Sequence, residues 1–283
     1  MTKQAAVLGH PIAHSLSPVL HRAAYEQLGL DWTYGRFDVD QDQLAAFIQG
    51  LDGTWGGLSL TMPLKQVVFK LLDHIDPLAE VTGAVNTVLF TGAGVHRSLV
   101  GTNTDVYGLV MALKEGGAKP GIKRAAILGA GATASSTLAA LAELGCTDPV
   151  VYVRSLGRTA ELRMAASRMG VSPTFELLSK APAGLNTFDV VVSTLPPFAG
   201  DDIAARLLEA QEGRAVTGVL LDVAYDPDPT ALISAWRGLD GTAITGERML
   251  LHQAVEQVRL MTGMPGPVAQ MGDALNGELL LRR

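Results

Sequence analysis

Ala125-Ala126-Ile127-Leu128-Gly129-Ala130-Gly131-Ala132-Thr133-Ala134-Ser135-Ser136 is the stretch whose reading decides the fold. Four apolar residues of strand length run straight into Gly129-x-Gly131-x-x-Ala134, and a helical pattern continues from Gly131 to Leu144. Strand, glycine turn and helix in this order are the context that a dinucleotide-binding fingerprint requires. Gly129 permits the tight turn, Gly131 lets the backbone approach a pyrophosphate, and Ala134 is small enough for close helix–strand packing. The helix N-terminus then offers free N–H groups and the positive end of a dipole. Ala130, Ala132 and Thr133 complete the candidate loop. An ordinary strand-to-helix turn is the bland alternative.

The next strand, Val150 to Val153, ends in Arg154-Ser155, with Arg158 close behind. An NAD site usually carries a carboxylate about 20 residues after the glycines, to bond the ribose 2′-hydroxyl. None stands at this strand end, whereas two guanidiniums and a hydroxyl suit a 2′-phosphate. The expected cofactor is therefore NADP rather than NAD, with Arg154, Ser155 and Arg158 at its phosphate.

Working outward, strand and helix signals alternate through most of the 283 residues, the pattern of an α/β protein. Further strands are predicted at Ala5 to Leu8, around Leu58 and Leu60, at Val85 to Phe90, Val95 to Val100, Val190 to Ser193 and Val219 to Val223. Ser17-Pro18 reads as a helix start with Ser17 as N-cap, and Gly29 as its stop. Asp40 with Gln43 reads as a capping box. Gly116 to Gly121 reads as a loop between two halves, and the last 35 or so residues as two helices split by Pro265 and Pro267.

Composition narrows the function classes. With 48% hydrophobic residues there is material for a sizeable core, and a net charge of −6 without a basic block argues against a nucleic-acid surface. No apolar run approaches the ~20 residues of a membrane helix, and no signal-peptide core is present. Cys146 is the single cysteine, so no internal disulfide is possible, and it reads as a small core residue. None of the six histidines falls at a metal-ligand spacing, so no metal is expected. A cytoplasmic protein fits these features.

Polar clusters beside glycine or proline mark the first half: Gly9-His10-Pro11-Ile12-Ala13-His14-Ser15-Leu16-Ser17-Pro18, Leu58-Ser59-Leu60-Thr61-Met62-Pro63-Leu64-Lys65, Gly83-Ala84-Val85-Asn86-Thr87 and Gly101-Thr102-Asn103-Thr104-Asp105. Together with the glycine loop, Asp222-Val223-Ala224-Tyr225-Asp226-Pro227, Gly246, Met249-Leu250 and Gln253-Ala254, they resemble the shikimate dehydrogenase family over essentially the whole chain. The resemblance implies an oxidoreductase that reduces 3-dehydroshikimate to shikimate with NADPH, reversibly, in aromatic amino acid biosynthesis. It implies two α/β domains: a substrate-binding catalytic domain of residues 1–106 plus 247–283, completed by the C-terminal helices, and an inserted Rossmann-type NADP-binding domain of residues 107–246.

Carried over by position, the resemblance makes Lys65 and Asp105 the catalytic pair, Lys65 as proton donor and acceptor, and Asp105 as its orienting partner. A proton donor beside the carbonyl oxygen lowers the barrier of reduction, because negative charge develops there. Ser15 and Ser17 are implied contacts of the substrate carboxylate, Thr61, Asn86 and Gln253 of the ring hydroxyls, and Tyr225 a further carboxylate contact. Val223 and Gly246 match positions at the nicotinamide end. The implied partner is a small acid, with the chain a monomer or homodimer. His10, His14 and His21 read as structural.

Several positions depart from the family's pattern. Ser59 stands for the usual Asn, Ala132 for Gly, Ser135 for Arg, and Val153 and Ser155 for Asn and Thr, and Glu247-Arg248 interrupts the segment before Met249. Two rival readings follow. One is a quinate/shikimate or aminoshikimate dehydrogenase preferring NAD, against which Ser17 stands, since quinate-preferring relatives tend to carry Thr there. The other is a non-catalytic NADP-binding sensor, which would have no need to keep both Lys65 and Asp105.

Overall fold

A computed structural model describes residues 2–92, 97–212 and 214–282. The chain divides into two compact units, residues 1–105 with 250–283, and residues 106–249.

The first unit runs β1 (Lys3–Gly9), α1 (Ser17–Gln27), β2 (Trp32–Asp38), α2 (Leu44–Gln49), β3 (Trp55–Leu60), α3 (Leu64–Val67), β4 (His74–Ile75), α4 (Pro77–Thr82), β5 (Thr87–Thr91) and β6 (Ser98–Thr102). These six strands form one sheet in the order β2-β1-β3-β5-β6-β4. Parallel pairing of β1 with β2 and β3 gives way to antiparallel pairing of β5 with β3 and β6. The carboxyl ends of β1, β3 and β6 and the amino end of β5 therefore lie along one edge. Ser59 is registered against Thr87, and Thr87 against Thr102. Leu8, Leu44, Leu58, Leu64, Val68 and Val88 form the core beneath. The start of the strand predicted at Val95 to Val100, and Gly94 of its turn, lie outside the described residues; β6 begins at Ser98.

Two local readings meet the structure differently. Asp40 and Gln43 exchange the reciprocal bonds of a capping box, each backbone N–H reaching the other's side chain at 3.0 Å. Ser17, by contrast, is not the cap of α1. Leu16 holds that position without a side-chain bond, and Ser17 is the first helical residue. Its N–H instead reaches Ser15 Oγ at 3.4 Å, so the hydroxyl that caps the turn comes from one pair earlier and the Ser17 hydroxyl is released for other partners.

The second unit and the C-terminal helices follow: α5 (Asp105–Glu115), β7 (Ala125–Leu128), α6 (Ala132–Glu143), β8 (Val150–Val153), α7 (Ala160–Met169), β9 (Thr174–Leu177), α8 (Ala181–Gly184), β10 (Val190–Ser193), α9 (Asp201–Gln211), β11 (Val219–Asp222), α10 (Ala231–Gly238), β12 (Thr242–Thr245), α11 (Gly246–Thr262) and α12 (Val268–Arg282). Its six strands are all parallel, in the order β9-β8-β7-β10-β11-β12. In chain order this is 3-2-1-4-5-6, the doubly wound dinucleotide-binding arrangement. Helices cover both faces, which explains the continuously apolar strands. Leu109, Leu113, Leu138, Leu141 and Leu162 pack on Ile127, Val151 and Val192, and Leu185, Leu207, Leu232, Ile233 and Trp236 on Ala126, Leu128, Val191 and Leu220. Cys146 is buried in the first of these clusters.

Among the described residues no helix is long and apolar enough to cross a membrane. Among the same described residues, no group of three or more His, Cys, Asp or Glu stands ready to hold a metal ion.

Candidate active site

Along the strand-end edge of the first unit, Lys65 Nζ donates to Asp105 Oδ2 at 2.5 Å. The two side chains are only 15% and 5% exposed, so the pair is poorly screened by water. Each is set by short-range rules. Lys65 lies in α3, which starts straight after Pro63 at its N-cap, and its carbonyl accepts from Val85 N–H at 2.9 Å. Asp105 opens α5, where a negative side chain is favoured by the helix dipole, and its N–H reaches Asn103 Oδ1 at 3.0 Å.

Asn86 fixes the other carboxylate oxygen. Its Nδ2 donates to Asp105 Oδ1 at 2.7 Å, to Thr104 Oγ1 at 2.9 Å and to Gln253 Oε1 at 3.3 Å. Its Oδ1 accepts from Thr104 N–H and from Thr87 Oγ1, both at 2.8 Å. Gln253 Nε2 is tied to the Leu250 carbonyl at 2.9 Å. Lys65, Asp105, Asn86 and Gln253 are thus one bonded cluster.

Ser15 sits on the loop between β1 and α1, and Ser17 is the first residue of α1. That loop is held by Arg36, which donates to the Ala13 carbonyl, and by Arg282 of α12, which reaches the His14 carbonyl at 3.1 Å. Ser15 is half-buried and Ser17 buried, and Thr61 is half-buried just beyond β3.

Sequence reasoning missed the polar network beneath these groups. Gln257 is buried, and its Oε1 accepts from Ser59 Oγ at 2.8 Å and meets His21 Nε2 at 3.1 Å. Its Nε2 donates to Thr87 Oγ1 at 2.9 Å. Tyr34 donates to Ser59 Oγ at 2.6 Å. Burial pushes the Tyr34 phenol up and drives the His21 imidazole down to about 3, against the opposing pull of Gln257. One signal was available: Gln257 follows Gln253 by four residues, one turn along the same helix face.

In the second unit the fingerprint loop follows β7, at the point where the strand order reverses direction. Gly129 has φ +111°, and a Cβ there would come within 2.5 Å of Thr194 Oγ1, so only glycine fits. Gly131 is the N-cap of α6 with no side-chain bond, which leaves first-turn N–H groups of Ala132, Thr133 and Ala134 for another acceptor. Ala134 is fully buried against the strand layer. Ser135 is buried in α6 and supplies no cation. Arg154, Ser155 and Arg158 are exposed past the end of β8, beside β7, and neither guanidinium has an ion pair among the described residues. Val223 and Gly246 are brought together: a Cβ on Gly246 would collide with the Val223 carbonyl. Tyr225 is half-buried in the loop after β11. Asp222, at the end of that strand, accepts from Thr230 Oγ1 at 2.8 Å, and burial raises its carboxyl.

This geometry agrees with what the chain is similar to. The family described as the shikimate dehydrogenase substrate binding domain matches residues 7–88, and the shikimate 5'-dehydrogenase C-terminal domain matches residues 246–275. A shikimate dehydrogenase (NADP(+)) from Rubrobacter xylanophilus is 36% identical over 281 residues, covering 98% of this chain and 96% of the relative. The chain belongs to the shikimate dehydrogenase family. Among solved structures, Mycobacterium tuberculosis shikimate dehydrogenase matches with a TM-score of 0.84 and 38% identity, covering 97% of this chain and 99% of the other. Shikimate 5-dehydrogenase from Thermus thermophilus in complex with shikimate matches with a TM-score of 0.80 and 31% identity, over 98% and 99% of the two chains.

Proposed function

We propose that this member of the family is an NADP-dependent shikimate dehydrogenase, which interconverts 3-dehydroshikimate and shikimate in aromatic amino acid biosynthesis. The observation that carries this reading is the shielded Lys65–Asp105 pair at 2.5 Å, in the part of the chain whose relatives bind shikimate.

Lys65 is the proton donor and acceptor. When the ring ketone is reduced, negative charge grows on its oxygen and the Lys65 ammonium supplies the proton; in the reverse direction the amine takes it from the hydroxyl. Asp105 holds the ammonium in place and balances its charge. Asn86 fixes Asp105 and, with Thr61 and Gln253, meets the ring hydroxyls. Ser15, Ser17 and Tyr225 meet the carboxylate.

NADP(H), when bound, supplies or accepts the hydride. The residues present fit it: a Gly129 turn that only glycine can make, open N–H groups at the start of α6, and two guanidiniums past β8 without an ion pair among the described residues. The loop Gly129, Ala130, Gly131, Ala132, Thr133 and Ala134 would hold the pyrophosphate. Arg154, Ser155 and Arg158 would hold the 2′-phosphate, a role that makes up for the absent cation at Ser135. Val223 and Gly246 would line the nicotinamide end. On this reading residues 107–246 are the NADP-binding domain and residues 1–106 with 247–283 the substrate domain, in a cytoplasmic monomer or homodimer.

Absorbance at the nicotinamide band tests the reading. The wild-type protein should reduce NADP⁺ with shikimate faster than NAD⁺ with shikimate or either cofactor with quinate. Lys65→Ala should lower kcat by ~10²-fold or more. Cofactor binding without turnover in the wild-type protein, or near-normal turnover in the variant, defeats it.

A further inference from the structure

Thr87 opens β5, is fully buried, and has a single hydroxyl proton to give. Gln257 decides where that proton points. The Gln257 Nε2 faces the Asn86 main-chain carbonyl at 3.4 Å, which can only accept, and it donates to Thr87 Oγ1 at 2.9 Å. Its Oε1 therefore takes the protons of Ser59 and His21. His21 is then the neutral tautomer with its proton on Nε2, and its Nδ1 accepts from Tyr25 OH at 3.2 Å. With Gln257 donating to it, the Thr87 hydroxyl gives its own proton to the nearer of two acceptors, Asn86 Oδ1 at 2.8 Å rather than Thr104 Oγ1 at 3.4 Å. The Asn86 amide is oriented as well, because its Oδ1 faces the Thr104 N–H and its Nδ2 faces Asp105. Donors thus run one way, from Gln257 to Thr87 to Asn86 to Asp105, in bonds of 2.9, 2.8 and 2.7 Å.

Resting on the activity proposed above, we propose that Thr87 is a positioning residue for the Lys65–Asp105 pair, acting through Asn86, with its proton aimed there by Gln257. An amide that accepts a hydrogen bond at its oxygen is the stronger donor at its nitrogen. The Thr87 proton on Asn86 Oδ1 therefore strengthens the bond from Asn86 Nδ2 to Asp105 Oδ1, and Asp105 Oδ2 stays directed at Lys65 Nζ. The other bonds to the Asn86 oxygen come from Thr104, the neighbour of Asp105 in sequence, and so move with it. The bond from Thr87 leads on through Gln257 to α11, which fixes the amide against a second element.

The test is Thr87→Val, which replaces the hydroxyl by a methyl group of nearly the same size, with kcat counted per folded molecule from urea unfolding curves. It should lower kcat for shikimate oxidation about fivefold, the size of one such hydrogen bond, and leave KM for NADP⁺ within about a factor of two. Thr87→Ser keeps the hydroxyl and should recover most of that kcat, although it loses a buried methyl group and some stability. A threonine that served stability alone would not separate the two variants in this way. Gln257→Met should lower kcat by about two- to threefold, and added to Thr87→Val it should bring no further fall, because both cut the same path. Wild-type kcat in Thr87→Val, equal falls in Thr87→Val and Thr87→Ser, a loss confined to KM for shikimate, or falls that multiply in the double variant would each overturn the proposal. If the wild-type protein turns over no shikimate, the activity reading fails on its own. Acetylation of Lys65 by acetic anhydride, followed by peptide mass spectrometry, reads the pair without turnover. An ammonium less firmly held by its carboxylate gives up its proton more readily, so Lys65 should react about threefold faster in Thr87→Val than in the wild-type protein or Thr87→Ser. Equal rates in the three proteins sink the inference whether or not shikimate is turned over.

Discussion

Asn86 shows how much one side chain is asked to do. Its amide nitrogen holds Asp105 Oδ1, and its oxygen satisfies the backbone N–H of Thr104 and the hydroxyl of Thr87. All four groups are buried, so truncation strands a carboxylate oxygen and an amide N–H with no water to replace the partner. Asn86→Ala should therefore lower stability by about 2–3 kcal/mol in urea unfolding and also lower kcat by more than about tenfold, because Asp105 is free to swing from Lys65. A variant with unchanged stability and kcat would show that Asn86 serves the substrate alone. What was legible in sequence was the family resemblance, which implies Asn86 as a ring-hydroxyl contact. Its bond to Asp105 was not, because those residues are 19 positions apart and only the register of β5 with β6 brings them together.

At the scale of elements, what was legible divides by place in the sheet. The interior strands β1, β3, β5, β6, β7, β8, β10 and β11 were all readable from apolar runs, β6 over its overlap with the predicted Val95 to Val100. The four that were not, β2, β4, β9 and β12, are the edges of the two sheets. An edge strand pairs on one side only and carries polar and charged residues toward water, so its pattern is diluted. Trp32–Asp38 alternates poorly for this reason, with Arg36 and Asp38 both exposed. The Ser17 cap was misread because Ser-Pro is a valid cap signal that the Ser15 hydroxyl satisfies one pair earlier. The end of β8 carries the proposed 2′-phosphate site. Replacing Arg154 and Arg158 together with Gln should raise KM for NADP⁺ about 10- to 100-fold and leave KM for NAD⁺ within about a factor of two, since only the former carries the phosphate they are proposed to hold. Equal effects on the two cofactors in steady-state rates would remove these residues from the phosphate site.

Over the whole molecule, the substrate unit is knit from both ends of the chain: α11 brings Gln253 and Gln257 against Asn86, Ser59 and His21, up to 236 residues away in sequence. No local pattern announces such a network; it exists because the fold buries these polar groups together and each must find a partner. The cost of that burial is measurable through His21. In the unfolded chain its imidazole takes a proton near pH 6.5, whereas in the native protein burial holds this off until about 3. The unfolded state thus binds the extra proton as pH falls, so the His21 contribution is complete above about pH 6.5 and is lost progressively below it. The slope approaches about 1.4 kcal/mol per pH unit. His10 acts in the opposite sense, since its exposed pairing with Asp38 raises its pKa and favours the native state at lower pH. Its effect is common to any pair of proteins that differ only at position 21. Unfolding free energies in urea at about pH 6.5 and about pH 5 should therefore show a steeper loss in the wild-type protein than in His21→Gln, by roughly 1 kcal/mol per pH unit. Parallel slopes in the two proteins would mean that His21 takes its proton in the native state, with its Nδ1 donating to the Tyr25 hydroxyl rather than accepting from it.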